Sequence, residues 1–144
     1  MTVDRELIAT RVAKIRELLR HLTRLETLSR DEFLASTIEQ HAVERELQVV
    51  VEACLDIGHH VITRDGLRRP TDYRDVFTVL HESGIIETEL GRRLEKMASF
   101  RNRLVHGYID VEPGRVYDMA RNELADVEAF VAAVVTRFVL DEQK

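Results

Sequence analysis

The sequence predicts an all-α fold, an antiparallel bundle of four to five helices, and three observations predict it. Apolar residues recur at three- and four-residue steps through most of the chain. Only six Gly and two Pro interrupt 144 residues, and Leu, Glu, Arg and Ala, all good helix formers, are abundant. No run alternates like a strand, and no segment repeats another. The length suits one domain over residues 1–144, and 44% hydrophobic residues are enough for a core.

The first helix is expected from about Asp4 to Thr27, where Leu7, Val12, Ile15, Leu18, Leu19, Leu22 and Leu25 form one stripe. Ser29 with Glu32 is a capping-box pattern and opens a short helix from Arg30 to Ala35. Thr37 with Gln40 repeats it and opens a long helix to about Thr63. The wide apolar face of this helix, including Leu47, Val50, Val51, Cys54, Leu55, Ile57 and Val61, suits a central position. Asp65-Gly66 ends it. Leu67 to Thr71 forms a connector, and Thr71 caps a short helix from about Asp72 to His81. Gly84 breaks the chain again.

The next helix is expected from about Ile86 to His106, with Leu90, Leu94, Met97, Phe100 and Leu104 on its stripe and Gly107 in the left-handed position beyond its end. Tyr108 to Gly114 reads as a loop. The last helix is expected as one piece from Arg115 to Leu140, with Val116, Met119, Leu124, Val127, Phe130, Val131, Val134 and Phe138 inward.

Charge and cysteine usage narrow the function classes. No stretch approaches the roughly 18 uncharged apolar residues of a membrane span, and no signal pattern opens the chain. Cys54 is the only cysteine, so no intrachain disulfide forms and a cytoplasmic location is the simplest expectation. The net charge of −5 argues against nucleic acid as a partner, but its distribution does not. Arg92, Arg93, Lys96, Arg101 and Arg103 stand against only Glu95 between residues 92 and 103. That patch is either a solvated helix face or an RNA-binding surface.

The patch leads into Arg101-Asn102-Arg103-Leu104-Val105-His106-Gly107-Tyr108. A guanidinium can grip a phosphate with two parallel hydrogen bonds, and an imidazole can move a proton near neutral pH. Together they suffice for RNA cleavage without a metal, because the RNA's 2′-hydroxyl is the nucleophile. Arg101 falls within the apolar stripe, so it needs a partner or a wet cleft. Arg101 and His106 are five apart, about 140° around an ideal helix. They converge on one phosphate if the helix end unwinds, if their side chains share a cleft, or if a symmetric dimer brings two copies together. Against this stand plainer readings: Arg101 paired with an acidic residue of another helix, His106 as a C-terminal cap, Tyr108 as an ordinary half-buried tyrosine.

Asp56 and His60, four apart, read as a mutually satisfied pair rather than a metal or proton-relay site, and His59 lies beside them. Cys54 reads as core. No Walker loop, GxGxxG, HExxH or Cys-rich spacing occurs, so no metal or cofactor is expected.

The octapeptide resembles the signature of the HEPN superfamily, Arg then four to six residues then His, and Tyr108 matches the tyrosine of its HepT-like toxins. Val51 to His60 is similar to that family's central helix, Pro70 to Gly84 to its connector, and Met97-Ala98-Ser99-Phe100 to its approach to the motif. The likeness spans roughly Glu6 to Phe138. It implies a homodimer whose paired motifs line a composite cleft. It implies a metal-independent ribonuclease, the toxin of a type VII-like toxin–antitoxin pair acting on tRNA or mRNA. The implied partner is a minimal, MntA-like nucleotidyltransferase antitoxin that transfers AMP onto the motif's tyrosine. Carried over, Arg101 and His106 are catalytic, Tyr108 is AMPylated, Asn102 and Asp56 support the site, and Arg92, Arg93, Lys96 and Arg103 meet RNA. Two alternatives remain at this point: a non-catalytic nucleotide- or substrate-binding partner of a nucleotidyltransferase, and an obligate helical dimer without a ligand.

Overall fold

The structure, a computed structural model, describes residues 3–106 and 111–140, and these residues contain helices and no strand. They form α1 (Arg5–Leu22), α2 (Arg30–Leu34), α3 (Thr37–Arg64), α4 (Tyr73–Glu82), α5 (Thr88–Val105), α6 (Pro113–Asn122) and α7 (Leu124–Val134). A 3-10 turn, Thr23–Glu26, prolongs α1, and a π-helical turn, Val135–Leu140, prolongs α7.

The caps explain most boundaries. Asp4 accepts hydrogen bonds from the N–H groups of Glu6 and Leu7 and starts α1. Ser29 and Glu32 form the expected reciprocal capping box of α2. Two caps are displaced by one residue from their expected places, one earlier and one later. Ser36, not Thr37, accepts from the Glu39 N–H to open α3, and Asp72, not Thr71, accepts from the Asp75 N–H to open α4. Gly66 and Gly84, at φ 65° and 77°, take the left-handed conformation after α3 and α4. The expected role of Gly107 lies outside the described residues.

The single last helix expected over 115–140 is two. Pro113 starts α6 at a first-turn position where its missing N–H costs nothing. The chain then turns at Glu123. The reason is that the apolar residues on either side serve two cores. Val116, Tyr117, Met119 and Ala120 pack with Leu25, Phe33, Val43, Leu47 and Phe100. Val127, Phe130, Val131 and Val134 pack with Ile8, Val12, Ile15, Ile57, Phe77 and Leu94. One straight axis cannot enter both.

As its apolar width predicts, α3 is central and touches α1, α2, α4, α5 and α6. Helices α4 and α5 form a hairpin close enough that Gly91 faces the His81 ring, and Gly58 likewise admits Val76. Phe77 and Phe130 meet edge to face, 5.8 Å between centroids. Among the described residues no helix is long and apolar enough to cross a membrane.

Candidate functional site at the end of α5

Arg101 lies on the buried stripe of α5, between Met97 and Leu104, and only 11% of its side chain is exposed. A charge there must be compensated. Its Nη2 donates to Glu52 Oε1 on α3 at 2.7 Å, and its Nη1 donates to Asn102 Oδ1 at 3.1 Å. The guanidinium carbon sits 4.8 Å from the centroid of the Tyr73 ring, at the start of α4. Three helices therefore fix one guanidinium. Nε is buried and has no partner among the described protein groups.

Glu52 is the residue that sequence reasoning missed. Its Oε1 also accepts from Gln48 Nε2 at 3.0 Å. Burial opposes its ionisation, but the hydrogen bonds from Gln48 and Arg101, with the charges of Arg101 and Arg45, outweigh burial and hold the carboxyl below its ordinary range. Gln48, Glu52, Asp56 and His60 stand four apart and form one polar stripe along α3. The signal for Glu52 was its place one turn before Asp56 on that stripe.

Asp56 itself pairs with Arg11 of α1, Nε to Oδ2 at 3.3 Å. His60 Nε2 accepts the Asp4 N–H at 2.7 Å and anchors the start of α1. The expected Asp56–His60 pair is thus replaced by two separate contacts to α1, because both side chains have nearer partners there. Tyr73 is the second missed residue; its contact with Arg101 has no periodic signal, since it sits at a helix start after a connector.

His106 is the C-cap of α5. Its N–H donates to the Asn102 carbonyl at 3.0 Å and its side chain is exposed. Both plain readings therefore hold structurally: Arg101 is ion-paired and His106 does cap. Neither excludes chemistry, since a held guanidinium and an exposed imidazole are what a phosphate-cleaving site requires. Tyr108 lies outside the described residues.

The basic patch divides. Arg93 Nε is held by Asp126 of α7 at 2.8 Å, and Arg92 pairs along the helix with Glu89 at 3.2 Å. Arg92, Lys96 and Arg103 are exposed. At about 100° per residue these three share one face within roughly 40°, His106 falls on that face, and Arg101 lies about 180° from Arg92. The patch thus continues to the histidine and not to the arginine. Cys54 is buried among apolar neighbours, which pushes its thiol up to about 12. Among the described residues no group of three His, Cys, Asp or Glu side chains is placed to hold a metal ion.

Comparison with known proteins places this geometry. Residues 8–134 match the family described as HepT-like, Ribonuclease HepT-like. The tRNA nuclease HepT of Aphanizomenon flos-aquae is 31% identical over 115 residues, 80% of this chain and 78% of that protein. The mRNA nuclease HepT of Shewanella oneidensis is 30% identical over 125 residues, 85% of this chain and 94% of that protein. The tri-AMPylated HEPN toxin of Shewanella oneidensis, solved in complex with its MNT antitoxin, superposes with a TM-score of 0.84 at 27% identity, over 91% of this chain and 98% of that one.

Proposed function

We propose that this chain, which belongs to the HepT-like ribonuclease family, is an RNA endonuclease that acts as the toxin of a toxin–antitoxin pair. The observation that carries the reading is the guanidinium of Arg101, fixed by Glu52, Asn102 and Tyr73, on a helix whose end presents the exposed His106. The relatives named for tRNA and mRNA cleavage point to RNA as substrate and leave its kind open between the two.

In this reading Arg101 holds the scissile phosphate and stabilises the charge that builds on it. His106 removes the proton of the 2′-hydroxyl, whose oxygen attacks the phosphorus as the 5′-oxygen leaves. The reaction needs no metal. Asn102 orients Arg101 through Oδ1, and Glu52 fixes it from behind. Arg92, Lys96 and Arg103 attract the strand, while Arg93 serves the α5–α7 contact. Asp56 acts at one remove, through Arg11. The catalytic unit is a homodimer in which the two motifs share a cleft.

The control arises at Tyr108. A nucleotidyltransferase antitoxin transfers AMP onto it, as the AMPylated state of the Shewanella toxin suggests. A phosphate two residues from His106 adds negative charge where the RNA phosphate must sit.

The test is incubation of unmodified protein with total tRNA and an mRNA in EDTA, beside Arg101→Ala and His106→Ala. Cleavage by the wild type, reduced by about 10²–10⁴-fold in each variant, is the expected result. No cleavage by protein that mass spectrometry shows unmodified refutes the nuclease reading, and AMP binding by that protein then favours the nucleotide-binding alternative.

A further inference from the structure

Tyr73, whose ring lies near the Arg101 guanidinium, also lines an open groove of about 720 Å³ walled by the connector between α3 and α4. This falls within the roughly 300–1,000 Å³ of small-ligand sites. Ile62 and Pro70 supply apolar surface, His59 a hydrogen-bonding imidazole and Arg69 a guanidinium. Tyr73 is also part of the lining and is 43% exposed, an unusual position for a large aromatic side chain. The Arg101 guanidinium carbon lies 4.8 Å from its ring centroid, so this one residue joins the Arg101 site to the groove.

The wall is built before any ligand arrives. Arg68 grips Asp75 through both terminal nitrogens, at 2.7 and 2.9 Å, and reaches Glu82 through Nε at 3.1 Å. The Thr71 N–H donates to the same Asp75 carboxylate at 2.9 Å, and the Leu67 N–H closes back on the Ile62 carbonyl at 3.0 Å. The acidic member of the lining, Asp72, is engaged by its own helix, where Oδ1 accepts from the Asp75 N–H at 2.8 Å. Arg69, next to this clamp, lines the groove itself.

We propose that this groove is a nucleotide subsite for single-stranded RNA. The base next to the phosphate on Arg101 stacks against Tyr73 over Ile62 and Pro70, and Arg69 with His59 takes the following phosphate. The chemistry is that of other single-strand sites, an aromatic platform beside a cation, and it makes Tyr73 the hinge between phosphate and base recognition. The proposal rests on the nuclease reading for Arg101. An adenylate carried by the protein itself offers the same chemistry, so the test uses protein verified as unmodified.

The experiment measures binding of a fluorescent 2′-O-methyl oligonucleotide, which cannot be cleaved, together with kcat and KM for the cleavable RNA in EDTA. The variants are His59→Ala, Arg69→Ala, Tyr73→Ala and Tyr73→Phe. Loss of the stacking ring in Tyr73→Ala is expected to weaken binding about 5- to 100-fold, with Tyr73→Phe close to wild type. Arg69→Ala is expected to raise KM and Kd several-fold, to leave kcat within twofold, and to lower the salt dependence by about 0.7 of a log unit per log unit of salt. A merely structural role for Arg69 would not move the salt slope. Binding and KM within twofold of wild type in His59→Ala, Arg69→Ala and Tyr73→Ala would overturn the proposal. A wild type that cuts nothing defeats the nuclease reading separately, and the binding arm still decides the subsite.

Discussion

The Arg101–Glu52 pair gives the sharpest test of how this site is held. Glu52→Gln keeps the size, the planar end and one oxygen acceptor, and removes only the charge. Two unit charges about 4 Å apart interact at roughly 4 kcal/mol when the effective dielectric is near 20. Here Arg101 is 11% exposed and Glu52 33%, so water screens the acid and the arginine has lost much of its hydration. After these offsets about 1–2 kcal/mol remains as the expected loss of stability. For a chain of this size that is a fall in Tm of about 3–6 °C. Arg101 is then less tightly oriented, and kcat for RNA cleavage should fall about tenfold without a rise in the Kd for uncleavable RNA.

The pH dependence carries a definite sign. The Glu52 carboxyl titrates below its ordinary value of 4.5 in the folded protein. Its contribution is therefore complete above that ordinary value and disappears as pH falls through the lower, folded one. Thermal melts of wild type and Glu52→Gln should differ at pH 7 and converge in strong acid. Equal Tm values at pH 7, within 1 °C, would show that the ion pair contributes nothing, and the account of Arg101 as a held guanidinium would fail with it.

Three further outcomes follow from the packing. Gly91→Ala puts a Cβ into the His81 ring, 2.8 Å from Cγ and 2.9 Å from Cβ, and should cost about 1–3 kcal/mol in chemical denaturation; unchanged stability would mean that α4 and α5 are less close than described. Cys54, with its thiol pushed up to about 12 by burial, should resist a thiol-reactive dye at pH 8 in the native state and react at once in denaturant. Asp75 is held down at about 2 from its ordinary 3.8, chiefly by the hydrogen bond from Arg68, so its contribution to stability is complete above 3.8 and is lost as pH falls through 2; Asp75→Asn should lower stability by about 0.5–1 kcal/mol at pH 5–7 and by progressively less below 3.8, measured by thermal melts.

The helices were legible because their signals are local. The stripes of α1, α3 and α5 and the capping box at Ser29 needed only neighbours in sequence. The cap shifts arose where two good capping residues stand side by side, Ser36 before Thr37 and Thr71 before Asp72, and backbone geometry chose between them. The turn at Glu123 was hidden because no Gly or Pro marks it and the apolar period runs on through it; only the presence of two cores divides the helix. The site behaved in the same way. The apolar stripe announced that Arg101 is buried and needs a partner. It could not say that the partner is Glu52 rather than Asp56, one turn along the same polar stripe, since that depends on how far α5 slides along α3.

The opposed faces of Arg101 and His106 bear on where the proposed catalytic pair comes from. Helix α5 stays regular through Val105, so the helix does not unwind to bring the two together. Arg101 faces inward to Glu52, and His106 stands with Arg92, Lys96 and Arg103 on the outer face. In the proposed dimer, the outward histidine of one copy meets a phosphate held at the arginine of the other. This yields a mixing experiment. Arg101→Ala and His106→Ala are each inactive as homodimers, but a mixed dimer contains one cleft with both wild-type residues if the pair is drawn from two chains. Random exchange of equal amounts makes half the dimers mixed, so about a quarter of wild-type activity should return. If each cleft takes both residues from one chain, no intact pair exists in any dimer and mixing restores nothing, which would place both catalytic groups within a single copy.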